Sequence, residues 1–159
     1  MSIYKLPWPW SWNTTIYDTA HDIWWPNNTY SSDNSRFQWT KWAGNIIRDN
    51  RTMLLWESQP TIMYMTWAEA KTYCSQLSLW WGDQNWRLPN IRELISLVDY
   101  TKDPVNYLID ETKFNISSSF YWSSTTDGWD MNSAFTINFY DATTMGSSKI
   151  NTSWVICVQ

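Results

Sequence analysis

Charged residues, histidine and cysteine are scarce in this chain, and each scarcity excludes a class of function. Charged side chains make up 16% of the 159 residues and the net charge is -4, so we expect no basic surface for nucleic acid. There is no run of 18 or more apolar residues, which argues against a membrane-spanning helix. One histidine, His21, and two distant cysteines, Cys74 and Cys157, cannot supply the roughly four ligands of a zinc site. We therefore expect no nucleic-acid partner, no membrane insertion, no metal and no other cofactor.

The first residues also lack the apolar core of a signal peptide. Met1–Pro7 is interrupted by polar residues and ends in proline, whereas a secretory leader has about 7–15 apolar residues in its central region. This predicts either another route of export or a leader that lies outside this chain. The sequence leaves the compartment open, and a cell or virion surface is the working hypothesis.

Aromatic residues are abundant, at 18% of the chain, with 15 Trp and 9 Tyr. Large rings fill the core of a fold that has little regular structure, and we assign most of them to that role. The others lie among Asn, Ser, Thr and Asp. Rigid rings combined with adaptable polar groups are typical of binding surfaces.

Residues 1–35 stand apart as a Trp/Pro-rich extension, in which Trp8, Trp10 and Trp12 alternate with Pro7, Pro9 and Ser11. The prolines disfavour a helix and favour extended chain. Two interpretations are open. The extension is either strapped over the following domain by its indoles or forms a subunit contact that makes a homo-oligomer, since exposed Trp clusters rarely stay unpaired.

Two helices with capping boxes are predicted in the remainder. Thr66 caps a helix that ends near Leu77, with Glu69 three residues after the cap, and Asn90 caps a second helix with Glu93 in the same position. Each has one apolar stripe. The stripes are Trp67, Ala70, Cys74 and Leu77 in the first helix, and Ile91, Leu94, Ile95 and Val98 in the second.

Strands are predicted before and after these helices. Residues 45–48 and 52–56 flank a turn and read as a hairpin. Ala134–Tyr140 alternates as a half-buried strand. Its inward residues are Phe135, Ile137 and Phe139, and its outward residues are Thr136, Asn138 and Tyr140. Trp154–Val158 is a short apolar run suited to a central strand.

Four motifs follow one another in a fixed order. They are Thr66-Trp67 to Cys74, Trp86-Arg87-Leu88-Pro89-Asn90-Ile91-Arg92-Glu93-Leu94, Tyr121-Trp122-Ser123-Ser124-Thr125, and Val155-Ile156-Cys157-Val158. Together they resemble the C-terminal domain family of the Legionella collagen-like adhesin, a branch of the C-type-lectin-like fold. The resemblance implies an α+β domain over residues 36–159, with two helices, small antiparallel sheets and long loops. It also implies a binding module.

One segment departs from the family pattern. Family members usually carry Thr-Gly-Leu-Met-Trp where this chain has Thr52-Met53-Leu54-Leu55-Trp56. The missing glycine predicts a turn of different geometry in the same fold.

The resemblance also implies a disulfide, because domains of this fold commonly tie the first helix to the last strand. Cys74 and Cys157 occupy those two places. The alternative is a pair of buried free thiols.

Neither calcium binding nor catalysis is predicted. Calcium-dependent lectins of this fold carry Glu-Pro-Asn or Gln-Pro-Asp and a later Trp-Asn-Asp, and this chain has neither. The related formylglycine-generating enzymes use a cysteine pair, but nothing else here supplies a base or a nucleophile. We therefore predict that the chain is not an enzyme.

The fold resemblance places ligand contacts in the C-terminal loops. Residues 126–153 contain large rings among small polar residues, as adaptable binding sites do. The alternative is ordinary polar loops. The candidate ligand-binding residues are Asp127, Trp129, Asp130, Asn132, Asn138, Tyr140, Asp141, Thr143, Ser147, Ser148 and Asn151.

The same fold family includes the variable proteins of diversity-generating retroelements, in which adenine-directed mutagenesis rewrites codons near the end of the gene. The products of such codons are the residue types in which residues 126–153 are rich. We expect non-catalytic recognition of a protein or glycan on another cell or particle, through a hypervariable loop surface. Two alternatives are a fixed glycan-binding adhesin domain and a structural subunit without a dedicated ligand.

Overall fold

The computed structural model describes residues 36–40, 45–60, 63–79, 85–102, 107–117 and 119–159. The extension at residues 1–35 lies outside them, so its role as a strap or a subunit contact stays a prediction. Within the described ranges the chain is α+β, as expected, with two short helices and small antiparallel sheets. The elements are β1 Phe37–Trp39, β2 Ile46–Asp49, β3 Leu55–Glu57, β4 Met65–Thr66, α1 Trp67–Gln76, α2 Ile91–Ser96, β5 Phe120–Thr126, β6 Ser133–Asn138, β7 Thr144–Ser148 and β8 Thr152–Ser153.

Both helices begin at the predicted capping boxes. The Thr66 hydroxyl accepts from the Glu69 amide at 3.5 Å, and the Glu69 carboxylate accepts from the Thr66 amide at 2.8 Å. Asn90 and Glu93 repeat this exchange at α2. Neither helix, nor any other in the described ranges, is long and apolar enough to cross a bilayer.

The predicted hairpin is formed by β2 and β3, which pair antiparallel. β1 pairs antiparallel with the other side of β2 and completes a three-stranded sheet. Met53, which replaces the glycine of the family pattern, has a φ of 63°. This left-handed conformation is the one that glycine favours, so Met53 carries backbone strain here, and a turn geometry different from that of the family stays a prediction.

The β5–β6–β7 sheet carries the C-terminal loops, and its register corrects one prediction. Thr136 was expected to face outward, but it is 1% exposed. It lies opposite Trp122, whose ring is buried, and its hydroxyl donates to the Met145 carbonyl at 3.1 Å. Core therefore covers both faces of β6 at this point, which the alternation of polar and apolar residues could not reveal. The strand also ends at Asn138, two residues earlier than predicted.

Residues 154–158 do not form the single central strand that we predicted. They make isolated bridges to three separate parts of the chain instead: Trp154 pairs with Tyr121 of β5, and Val158 pairs with Trp56 of β3 and with Arg87, which precedes α2. Val155, Ile156, Cys157 and Val158 are fully buried. These residues are apolar because they lie at the centre of the core, although they do not form a regular strand.

Two buried clusters lie on either side of this C-terminal segment. The larger contains Trp56, Leu94, Tyr121 and Ile156, and the smaller contains Trp122, Val155 and the two cysteines. Cys74 of α1 and Cys157 form a disulfide with their Cα atoms 5.5 Å apart. The bond crosses 83 residues of sequence and ties α1 to the segment that the rest of the core surrounds.

Candidate ligand-binding surface

The eleven predicted ligand-binding residues lie in three places on the β5–β6–β7 sheet. Because consecutive strands are antiparallel, the β5–β6 and β7–β8 loops meet at one end and the β6–β7 turn lies at the other. The ends are separated by the length of β6, roughly 17 Å at about 3.4 Å per residue. We call residues 127–132 and 149–151 the loop patch, and residues 139–143 the distal turn.

The loop patch contains Asp127, Trp129, Asp130, Asn132 and Asn151, which the structure brings together. The distal turn holds Tyr140, Asp141 and Thr143, and Asn138 is the last residue of β6 next to it. Ser147 and Ser148 belong to β7. The predicted residues therefore do not form one compact site.

Lys149 holds the two loops of the patch together. Its amide donates to the Asn132 carbonyl at 2.8 Å, and its ammonium donates to the Met131 carbonyl at 2.8 Å and the Thr126 hydroxyl at 2.9 Å. The same ammonium lies 4.3 Å from the centre of the Trp67 ring at the start of α1, a cation–π contact. The loops are thus fixed to the helix that carries the disulfide.

Three large apolar side chains project from the two loops that Lys149 holds together. Trp129 is 99% exposed, Ile150 is 84% exposed and Met131 is 74% exposed. Side chains of this size, displayed on adjoining loops, are available to lose water against a partner.

Four of the predicted polar residues stabilise turns, each through a side-chain oxygen that accepts a backbone amide two residues later. The pairs are Asp127 with Trp129, Asp130 with Asn132, Asn138 with Tyr140, and Asp141 with Thr143, at 2.9–3.0 Å. Hydrogen bonds from Ser133 and Asn132 lower the pKa of Asp130, so its carboxylate stays charged. These residues shape the loops. One side-chain oxygen of each already accepts a hydrogen bond, and the second oxygen of Asp130 accepts another from the Ser133 hydroxyl.

Residues 45–159 match the family described as the Lcl C-terminal domain. The chain belongs to this family. The match confirms the resemblance that the four motifs indicated, and it includes the loop patch, the distal turn and the whole of the β5–β6–β7 sheet. A comparison with curated proteins finds no match.

A groove of about 510 Å³ lies beside β7. Two predicted residues, Ser147 and Asn151, line it, and their side chains form a hydrogen bond of 3.3 Å. No charged residue is among the lining residues that lie in the described ranges. The remaining lining residues are Phe120, Thr136, Met145, Ile150, Thr152 and Ser153.

At the distal turn, Tyr140 is 45% exposed and packs edge-to-face on Tyr107, with ring centroids 6.2 Å apart. The Leu108 amide donates to the Phe139 carbonyl at 2.7 Å, which joins the turn to the segment after α2. The turn thus belongs structurally to the larger core cluster and not to the loop patch.

Sequence reasoning missed Phe120, Met131, Met145, Lys149 and Ile150. Met131 and Ile150 carry the signal that identified Trp129, a large apolar residue among polar neighbours. Lys149 has no such signal, because its role depends on three partners distant in sequence. In the part of the chain that the structure describes, no three His, Cys, Asp or Glu side chains lie together in a way that could hold a metal ion.

Proposed function

We propose that this member of the Lcl C-terminal domain family recognises a ligand without catalysis, as an adhesin-like binding module of C-type-lectin-like fold. The ligand is a protein or a glycan on another cell or particle, and binding needs no calcium. Membership of the family supports a binding role. The observation that carries the choice of surface is the exposure of Trp129, Met131 and Ile150 on two loops that Lys149 ties together.

Binding would bury these side chains while the loop backbone stays in place. Exposed rings on a rigid base lose little conformational entropy when a partner covers them. The Trp129 indole has the largest exposed fraction of the three. It is therefore the side chain that we expect to dominate the affinity.

The test is binding of the whole protein to the cells or particles that it recognises. We expect Trp129→Ala to weaken binding by about 30-fold, the loss of roughly 2 kcal/mol that is typical of a buried Trp anchor. The thermal midpoint should not change, because the side chain is 99% exposed. Tyr100→Ala, at a ring that is 70% exposed but outside the loop patch, is the matched control. Unchanged binding by Trp129→Ala would contradict the choice of surface.

We also propose that residues 126–153 are a diversified surface. Several anchors of the loop patch are backbone bonds, such as those from Asp127 to Ser133 and from Ser133 to Asp130, so outward side chains other than those of Asp127, Asp130 and Lys149 can change without loss of the loops. Sequencing the gene and its flanks across the source population tests this. Substitutions confined to these codons, beside a near-identical repeat that differs mainly at adenines, support it, and an invariant segment contradicts it.

The uncharged groove beside β7 favours the second candidate, a fixed glycan-binding adhesin domain. Its apolar side chains could lie against the faces of sugar rings, while Ser147 and Asn151 offer hydrogen bonds to hydroxyl groups. A glycan array decides between the two. Binding of one neutral glycan that Ser147→Val abolishes and Trp129→Ala leaves intact would favour this candidate.

A further inference from the structure

The outer edge of β7 is exposed and unprotected. β6 pairs with one side of β7, and no strand among the described residues pairs with the other. Thr144, Met145 and Gly146 are exposed. Edge strands are commonly protected by lysine, proline or a bulge, and β7 (Thr144–Ser148) has none of these.

The direction of the β7 backbone groups follows from the ladder. The bonded pairs at its two ends are Asn138 with Thr143, at 2.9 Å, and Asn132 with Lys149, at 2.8 Å. Bonded residues alternate with outward ones along an antiparallel strand. The residues whose N–H and C=O groups point away from β6 are therefore Thr144, Gly146 and Ser148. Of these groups, the Ser148 carbonyl already accepts from the Asn151 amide at 2.9 Å.

The two faces beside this edge differ in chemistry. A Cβ atom at Gly146 would lie 2.8 Å from the Asp127 Oδ2 atom, so this carboxylate lies over the centre of the strand on one face. Asp127 Oδ1 accepts from the Trp129 amide, and Oδ2 has no donor within the described ranges. On the other face, Met145 and Ser147 line the uncharged groove.

We propose that β7 accepts an extended segment of a partner protein as an added strand. The segment carries Lys or Arg opposite Gly146, where its cation meets Asp127, and apolar or small residues on either side, which enter the groove. The outward backbone groups provide the hydrogen bonds, as in other cases of strand addition. This proposal rests on the proposed function and assigns its ligand to the protein class.

A second copy of this chain is a poorer occupant of the edge. Antiparallel pairing of two β7 strands about Gly146 would bring two Asp127 carboxylates together across the same face. Like charges placed directly opposite each other destabilise a strand pair, and the net charge of -4 on each copy adds to the repulsion. A basic segment has the complementary charge.

The experiment selects a phage-displayed library of random peptides on the whole protein and then methylates the backbone nitrogens of a synthetic binder one at a time. We expect enriched peptides to contain a central Lys or Arg. Methylation should weaken binding about tenfold at alternate positions only, because each lost hydrogen bond is worth roughly 1 kcal/mol and the methyl group adds a clash. Asp127→Asn should remove the preference for a basic residue, and Asp141→Asn, in the distal turn, should keep it.

Thr144→Pro removes one outward N–H group and leaves the bonds to β6 in place, so it should bind the selected peptide about tenfold more weakly. The methylation series needs no protein variant and therefore remains decisive if this one does not fold. No enrichment, or methylation effects without a two-residue period, would overturn the proposal. Either result would leave the proposed role of the loop patch unaffected, because that role is tested separately by the binding of Trp129→Ala to whole cells or particles.

Discussion

The Tyr73 hydroxyl donates a hydrogen bond of 2.8 Å to the carboxylate of Glu57, which is only 2% exposed. The other Glu57 oxygen accepts from the Cys157 amide at 3.2 Å. One carboxylate therefore joins β3, α1 and the C-terminal segment next to the disulfide. Burial raises the pKa of Glu57 to about 7, although both hydrogen bonds act in the opposite direction.

The first prediction is a pH dependence of stability that originates at Glu57. An unfolded Glu titrates near 4.5, so between about pH 4.5 and 7 the folded chain holds more protons at this site than the unfolded chain. The contribution of Glu57 to the free energy of unfolding therefore decreases as pH rises through this window, by on the order of 3 kcal/mol. Urea unfolding at several pH values measures it.

Glu57→Gln keeps an oxygen for the Cys157 amide and removes the titration, so this decrease should be missing. The exposed Glu111→Gln should behave like the wild type. If Glu57→Gln and the wild type change in parallel between pH 4.5 and 7, Glu57 is not the group that titrates.

The second prediction concerns the disulfide between Cys74 and Cys157. Closing a loop of 83 residues stabilises the folded state by on the order of 4 kcal/mol in the chain-entropy model. Reductant should lower the free energy of unfolding by about this amount. The double variant Cys74→Ala/Cys157→Ala should unfold identically with and without reductant. Two free thiols in denatured protein prepared without reductant would contradict the bond.

The third prediction is that Met53→Gly stabilises the protein. Relief of the left-handed strain is worth about 1–2 kcal/mol, and the added flexibility of the unfolded chain offsets roughly half of it. We expect a gain of about 0.5–1 kcal/mol in the free energy of unfolding. Met63→Gly is the control, since Met63 is 61% exposed and its φ is not positive. The same change there should cost stability.

The fourth prediction is that Lys149→Met loosens the loop patch. The variant keeps a long apolar side chain but loses the ammonium bonds to Met131 and Thr126. The amides of residues 127–133 should exchange with solvent about 10-fold faster, as expected for a loss of 1–2 kcal/mol. Lys71→Met is the control, because Lys71 also contacts the Trp67 ring, at 4.6 Å. Equal exchange rates in both variants would show that Lys149 does not anchor the loops.

The sequence was most informative where structure depends on neighbours along the chain. The capping boxes of Thr66 with Glu69 and Asn90 with Glu93 involve residues three positions apart, and both helices begin as predicted. The β2–β3 hairpin likewise follows from its local turn. The family resemblance likewise rests on motifs that are short runs of neighbouring residues, which follow one another in a fixed order along the chain.

Predictions failed where distant segments decide the environment. The burial of Thr136 depends on Trp122 and Met145, and residues 154–158 form bridges to three separate parts of the chain. The candidate residues divide between the two ends of the sheet because an antiparallel meander places successive loops alternately. The polar character of a loop residue does not indicate at which end of the sheet its loop lies.

The bridges of Val158 to Trp56 and Arg87 also govern how the chain acquires its structure during synthesis. The residues that complete both core clusters emerge from the ribosome after almost everything that packs against them. Apolar side chains such as Trp56 and Leu94 therefore remain incompletely buried until residues 155–158 have been synthesised. Folding dominated by such long-range contacts is slow, so we expect the nascent chain to pass through an interval in which chaperones or aggregation compete with folding.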